Sequence, residues 1–187
     1  RRGRAESRAG PLTAADSTGG LTRGLRGSGI RAFFQDSGSV PQRSLHTPVG
    51  DITVFEEDGA IVSVDWGWVT DQSSTPVLLE AEAQLHAYFD GERKAFDLPL
   101  APSGTAYRKR VWQALCDIPY GATRTYGEIA AVAGGSARSV GQANGSNPIP
   151  LIIPCHRVVA GSHLGGYSGG DGAETKRWLL ALESGDG

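Results

Sequence analysis

The 187-residue chain contains no methionine and only two cysteines, Cys116 and Cys155. They stand far apart with no C-x-x-C pair, which excludes a disulfide framework and a zinc site written in the spacing; a reducing compartment, the cytoplasm, is the expectation. Long apolar runs are missing too. Leu151-Ile152-Ile153 ends at Pro154, far short of the roughly 18 residues that a membrane helix needs. Nor is there an excess of charge, since 18 Lys+Arg stand against 20 Asp+Glu, so the total says nothing about a partner. Glycine is plentiful at 27 residues, yet with 10 prolines the chain stays below the level of low-complexity sequences, and a globular core is expected.

The balanced total hides a partition. Residues 1-45 hold eight Arg and three acids, residues 46-104 two bases and eleven acids, and residues 105-187 eight bases and six acids. The first stretch is rich in Gly, Ser and Arg and poor in large aliphatics, so it is expected to be a mostly disordered leader. Its composition suits an organellar transit peptide and equally an extended reading frame, and no functional argument rests on it.

A folded pattern begins near His46. Ile52 and Val54 on one side of Asp58-Gly59, and Ile61 to Val64 on the other, predict an antiparallel hairpin. Leu78, Ala81, Leu85 and Tyr88 step by three and four behind Pro76, which predicts an amphipathic helix. Residues 92-104, with Pro99, Pro102 and Gly104, read as a short strand and a linker, placing a domain boundary near 104. Thr105 is a candidate cap for a helix running to about Asp117 with the stripe Val111, Trp112, Leu115 and Ile118. Cys116 lies in that helix with no base beside it and is expected to be a buried small hydrophobe. A Thr125-Glu128 capping box opens a short helix, Gly134-Gly135 turns the chain, and Ser136 caps another. This is a helix-turn-helix pattern, by itself a weak sign of DNA binding.

The chemistry is expected between Asn147 and Glu183. Three prolines at 148, 150 and 154 are expected to hold the run extended and deny it helix before it presents Cys155 beside His156 and Arg157. A thiol is a nucleophile only as thiolate, so it needs a base, a cation or a helix N-terminus nearby. On an extended strand neighbouring side chains point to opposite faces, so His156 needs a bridging water or a local twist to take the Cys155 proton. The alternative is a buried Cys before an exposed His. Gly166-Tyr167-Ser168-Gly169-Gly170 matches the G-x-S-x-G elbow of hydrolases, but all four His lie upstream of it, against the order such a triad needs. It is read instead as a Gly-rich loop feeding a helix from Ala173 to Leu182, able to bring backbone N–H groups to a ligand. Glu183, at the end of that helix, taken alone is a solvated carboxylate.

The block PCHRVV at 154-159, preceded by Asn147-Pro148-Ile149-Pro150 and followed by GYSGG at 166-170 and by Lys176 to Glu183, closely resembles the O6-alkylguanine-DNA alkyltransferases, the methylated-DNA-protein-cysteine methyltransferases. The match spans about 105-183, and residues 46-104 resemble the family's N-terminal domain more loosely. The resemblance implies an α+β fold: a small ribonuclease-H-like antiparallel sheet domain at 46-104, then a mainly helical domain with a helix-turn-helix at 105-187. It implies direct repair of double-stranded DNA. The protein enters the minor groove, flips the damaged base, and moves an alkyl group from O6 of guanine, and also O4 of thymine, irreversibly onto its own cysteine. By position Cys155 is the nucleophile, His156 its base through a water, and Glu183 the carboxylate that orients His156. Asn147 braces the Cys loop, Tyr126 donates to the departing guanine, and Arg138 fills the gap left by the flipped base. Tyr167 and Ser168 wall the pocket, Val158 offers its carbonyl to the exocyclic amine, and Lys176 lies at the pocket side. No cofactor and no metal are expected, and the chain is expected to act as a monomer. The acids Asp171 and Glu174 beside a helix start suit the helix dipole but repel phosphate, which bears on pocket size.

Overall fold

The computed structural model describes residues 40-185. Residues 1-39, most of the expected leader, lie outside the described residues. The folded pattern starts earlier than expected, because β1 (Gln42–Leu45) pairs antiparallel with β2 (Ile52–Glu57), which pairs with β3 (Ala60–Trp66). The expectation of a leader through residue 45 is therefore corrected at its last four positions. A four-residue strand has too little pattern of its own to be read, and here the free edge of β2 recruits it.

Asp58 and Gly59 form the β2–β3 turn with φ of 51° and 79°, the left-handed pair a two-residue hairpin of the right twist demands. α1 (Pro76–Phe89) is capped by Thr75, whose side chain accepts from the Leu78 N–H, and buries Leu78, Ala81, Leu85 and Tyr88. The expected short strand within 92-104 reduces to one parallel bridge between Ile61 and Leu100, because the prolines on either side remove ladder donors. The outer edge of β3 is used twice. Ile61 bonds Pro99 and Ala101, while the Val64 N–H donates to the Pro148 carbonyl at 2.9 Å, tying the sheet to the Cys155 loop.

α2 (Ala106–Cys116), capped by Thr105, turns Val111, Trp112 and Leu115 inward. Cys116 is exposed, contrary to expectation. It stands one residue, about 100° of helix rotation, past Leu115 and so falls off the apolar stripe. α3 (Tyr126–Ala133) and α4 (Ala137–Gly145) each begin in a complete capping box, Thr125 with Glu128 and Ser136 with Ser139. Gly134 and Gly135, at φ of 84° and 86°, make the turn between them, a conformation that costs a side chain about 1–2 kcal/mol. Parallel strands β4 (Arg124–Thr125) and β5 (Val158–Val159) pair in front of α3, and α5 (Ala173–Ser184) closes the described chain. No helix among the described residues is long and apolar enough to cross a membrane.

Candidate active site

The segment 147-157 is coiled rather than extended. Asn147 spans it: its Oδ1 accepts from the Ile149 N–H at 3.1 Å and its Nδ2 donates to the Ile153 carbonyl at 2.8 Å. Ile153 N–H closes back onto Ile149 at 2.9 Å, and Leu151 takes a φ of 72°. Cys155–Arg157 then form one 3-10 turn. The expectation of an extended run fails because Pro fixes its own φ but leaves ψ free, and the Asn147 side chain supplies the closing bonds. On such a turn, with about three residues per revolution, the side chains of Cys155 and His156 do not point to opposite faces as they would on a strand.

Cys155 is buried, with a second residue that sequence reasoning passed over beside it: Asn144, on the inner face of α4, donates from Nδ2 to the Cys155 carbonyl at 3.3 Å. Burial pushes the Cys155 thiol up. The Asn147 amide, the Lys176 ammonium and the backbone N–H groups of Cys155 and His156 oppose that rise.

His156 is fully enclosed, and its Nε2 lies 2.7 Å from Glu183 Oε1. Burial lowers its pKa, against the pull of Glu183, so the resting imidazole is neutral. A carboxylate only accepts, so Nε2 carries the proton and Nδ1 is left with a lone pair. That Nδ1 is buried with no hydrogen-bond partner among the described residues.

Glu183 is not a solvated end. It is buried in the last turn of α5 and accepts from Tyr88 Oη at 2.7 Å, Arg157 Nε at 2.8 Å, Arg157 Nη2 at 3.0 Å and the Gly121 N–H at 3.2 Å, besides His156. Burial alone raises a carboxyl. Here the bonds from His156 and Arg157, and then Tyr88, outweigh it and hold Glu183 down to about 2. Arg157 also donates to the Ile118 carbonyl at 2.7 Å and lies over the Tyr120 ring.

A cavity of about 230 Å³ opens onto Cys155 and is lined by Tyr126, Asn144, Gly145, Tyr167 and Ser168 among others. A second, of about 170 Å³, meets it at Cys155, Tyr167 and Ser168 and reaches Val64 and Trp66 of β3. Trp66 sets edge-on to Tyr167 with ring centroids 6.3 Å apart. A Cβ on Gly169 would stand 2.7 Å from Trp66 Cζ3, so only glycine lets the loop lie against that ring. Burial pushes the hydroxyls of Tyr126 and Tyr167 up and keeps both as donors. Lys176, fully buried, donates to the carbonyls of Val158 at 2.6 Å and Gly166 at 3.2 Å, and burial lowers it to about 8.

Tyr126, Tyr167 and Ser168 thus line the cavity with Cys155, and Asn147 lines the adjoining one; His156, bonded to Glu183, follows Cys155 on the same turn, and Lys176 bonds the carbonyls of Val158 and Gly166, the latter at the cavity wall. Arg138 stands apart, exposed in the first turn of α4. Among the described residues no three His, Cys, Asp or Glu side chains are arranged to hold a metal ion. Tyr88, Asn144 and Trp66 were missed. Tyr88 sits on a predicted apolar face, where nothing in the pattern tells a core aromatic from one facing a site, and Trp66 lies two residues beyond the stretch read as a strand. Asn144 left one signal, a polar residue on the stripe with Val140 and Ala143.

A buried thiol on a turn, an imidazole next to it in the chain, a carboxylate bonded to that imidazole and a cavity in front of the thiol thus stand together in one place. The sequence matches the family model described as the 6-O-methylguanine DNA methyltransferase DNA-binding domain over residues 106–185, and that family's ribonuclease-like domain over residues 42–102. A constitutive methylated-DNA–protein-cysteine methyltransferase of Bacillus subtilis is 44% identical over 154 residues, 75% of this chain and 93% of its own. A protein of the same name from Methanosarcina acetivorans is 50% identical over 153 residues, 74% of this chain and 95% of its own. A crystal structure of Mycobacterium tuberculosis OGT in complex with DNA superposes with a TM-score of 0.71 at 42% identity, covering 78% of this chain and 94% of that one. The chain belongs to the methylated-DNA–protein-cysteine methyltransferase family.

Proposed function

We propose that this chain repairs double-stranded DNA by moving an alkyl group from O6 of guanine to the Sγ of Cys155, once per molecule. The observation that carries the reading is the buried Cys155–His156–Glu183 series at the mouth of a cavity, with Nδ1 the one ring nitrogen of His156 free to accept. The Cys155 proton passes to that Nδ1 through a water, and Glu183 stabilises the imidazolium that forms. The thiolate then forms a bond to the saturated carbon as the carbon–O6 bond breaks, and the electron pair leaves on guanine. Tyr126, kept protonated by burial, donates to the departing base as its negative charge develops. The product thioether does not revert. No cofactor is required, because the electrophilic carbon arrives with the substrate. O4-alkylthymine presents the same alkoxy carbon and is a second substrate.

The remaining residues serve binding. Helices α3 and α4, joined by a Gly-Gly turn, act as a helix-turn-helix laid in the minor groove. Arg138, exposed at the start of α4, takes the place of the flipped base; flipping costs a few kcal/mol that groove contacts must offset. Tyr167 and Ser168 wall the cavity, Lys176 holds the carbonyl of Val158 and that of Gly166, which lines the cavity, the Val158 carbonyl meets the exocyclic amine, and Asn147 braces the Cys loop. The chain works as a monomer in the cytoplasm. The test uses duplex DNA with a labelled methyl on O6 of guanine, offered to the wild type and to Cys155→Ala. Label is expected on the wild type alone, with DNA affinity retained in the variant. Label on Cys155→Ala overturns the assignment.

A further inference from the structure

The carboxylate behind His156 is shared with the other half of the molecule. Glu183 Oε1 accepts from three donors, His156 Nε2 and Tyr88 Oη at 2.7 Å each and Arg157 Nη2 at 3.0 Å, while Oε2 takes Arg157 Nε and the Gly121 N–H. Five donors thus meet the roughly four lone-pair sites of a carboxylate. Tyr88 is the donor from the ribonuclease-like part of the chain, 95 residues before Glu183.

We propose that Tyr88 is a positioning residue for alkyl transfer: its hydroxyl divides Glu183 Oε1 with His156 and so sets how strongly the carboxylate supports the imidazolium. Charge balance does not require it, because Arg157 already faces Glu183 with two nitrogens. Its ring is fixed by Phe89 and Phe96, each with centroids 5.3 Å away, and by Tyr120 at 6.1 Å, so the hydroxyl has one place to point. Burial, then the Glu183 charge, push the phenol far above its ordinary value, so Tyr88 donates throughout and does not itself titrate. The other charged and titratable groups facing the pair are Arg157 from the Cys loop, Tyr120 from the turn after α2, and Cys155 and Lys176 on the pocket side. A donor on Oε1 draws charge from it and weakens it as acceptor for His156. Removing that donor makes the imidazole more basic, and the thiolate–imidazolium pair then forms at lower pH.

The proposal rests on Cys155 being the alkyl acceptor, and its test is chosen to separate the two. In a Cys116→Ser background, the rate of Cys155 carboxamidomethylation by iodoacetamide is followed against pH by mass spectrometry, without DNA. Tyr88→Phe is expected to move the ascending limb down by about half a pH unit, roughly threefold faster below the limb. Site-specific replacement of Tyr88 by 3-fluorotyrosine, a stronger donor on the same ring, moves it the other way. Phe96→Leu disturbs the same ring and leaves the hydroxyl, so it lowers stability with the limb unmoved. A limb unchanged in Tyr88→Phe and in the fluorinated protein, or moved equally by Phe96→Leu, overturns the proposal. Failure of the wild type to take methyl from DNA overturns the alkyl-transfer reading instead.

Discussion

His156 Nε2 and Glu183 Oε1 stand 2.7 Å apart with both side chains fully withdrawn from solvent. Arg157, 26 positions before Glu183, makes a second, two-pronged contact to the same carboxylate. One carboxylate therefore orients the imidazole and neutralises the guanidinium at the base of the Cys loop, and its loss has two separable consequences.

Glu183→Gln leaves Arg157 buried opposite a neutral amide. Breaking one side of a buried ion pair typically costs about 3–5 kcal/mol, measurable as a lower midpoint in urea. The same variant loses the charge that stabilises the His156 imidazolium, so methyl transfer is expected to fall at least about tenfold, the equivalent of 1.4 kcal/mol. Equal transfer rates in a folded Gln variant would remove Glu183 from the chemistry.

Acid weakens the fold in a defined window. Glu183 is held at about 2 against an ordinary value of 4.5, so its contribution is present above about 4.5 and lost as pH falls toward 2. At 1.36 kcal/mol per unit this amounts to about 3 kcal/mol. His156, buried neutral with its pKa lowered from 6.5, acts in the same direction, because below its ordinary value the unfolded chain gains a proton that the folded one refuses. Unfolding free energy measured by denaturant between pH 7 and pH 3 is expected to fall steadily, with Glu183→Gln showing a shallower fall.

Gly169 and Trp66 are matched across the two halves. Gly169→Ala pushes its methyl group into the Trp66 ring and is expected to cost about 1–3 kcal/mol as overpacking does, while slowing transfer through the Tyr167–Ser168 wall. Trp66→Ala in the same chain opens the space. A double-mutant cycle is expected to give a coupling above about 0.5 kcal/mol, as for residues in contact; simple additivity would mean that the loop does not rest on Trp66.

Arg138→Ala removes an exposed side chain and is expected to change stability by less than about 0.5 kcal/mol. Single-turnover transfer from duplex DNA is expected to slow by at least about tenfold, while transfer from a single strand, where no gap needs filling, is much less affected. Equal slowing on both substrates would place Arg138 in general phosphate contact.

What could be read from the chain was local. The Asp58-Gly59 turn, the Leu78–Ala81–Leu85–Tyr88 stripe, the Thr125–Glu128 capping box and the Ser136 cap depend on neighbours within four residues, and all form as their spacing predicts. The fold class and the grouping of the site came from motif order, since nothing near Glu183 in sequence announces that it is buried against His156. What escaped was set at a distance. β1 exists because β2 offers an edge, the 147-157 coil because one asparagine closes it, and Cys116 is exposed because the stripe beside it ends one residue earlier. Tyr88 reads as core from its period, and its hydroxyl gains a role only when α5 arrives beside it.

The most direct measurement is intact mass spectrometry with peptide mapping after incubation with duplex DNA containing O6-methylguanine. A single addition of about 14 Da, one CH2, on the peptide carrying Cys155, reaching one per molecule and then stopping, is the predicted result for a thiolate that keeps what it takes. An unmodified Cys155 in protein that still binds the damaged duplex would contradict it.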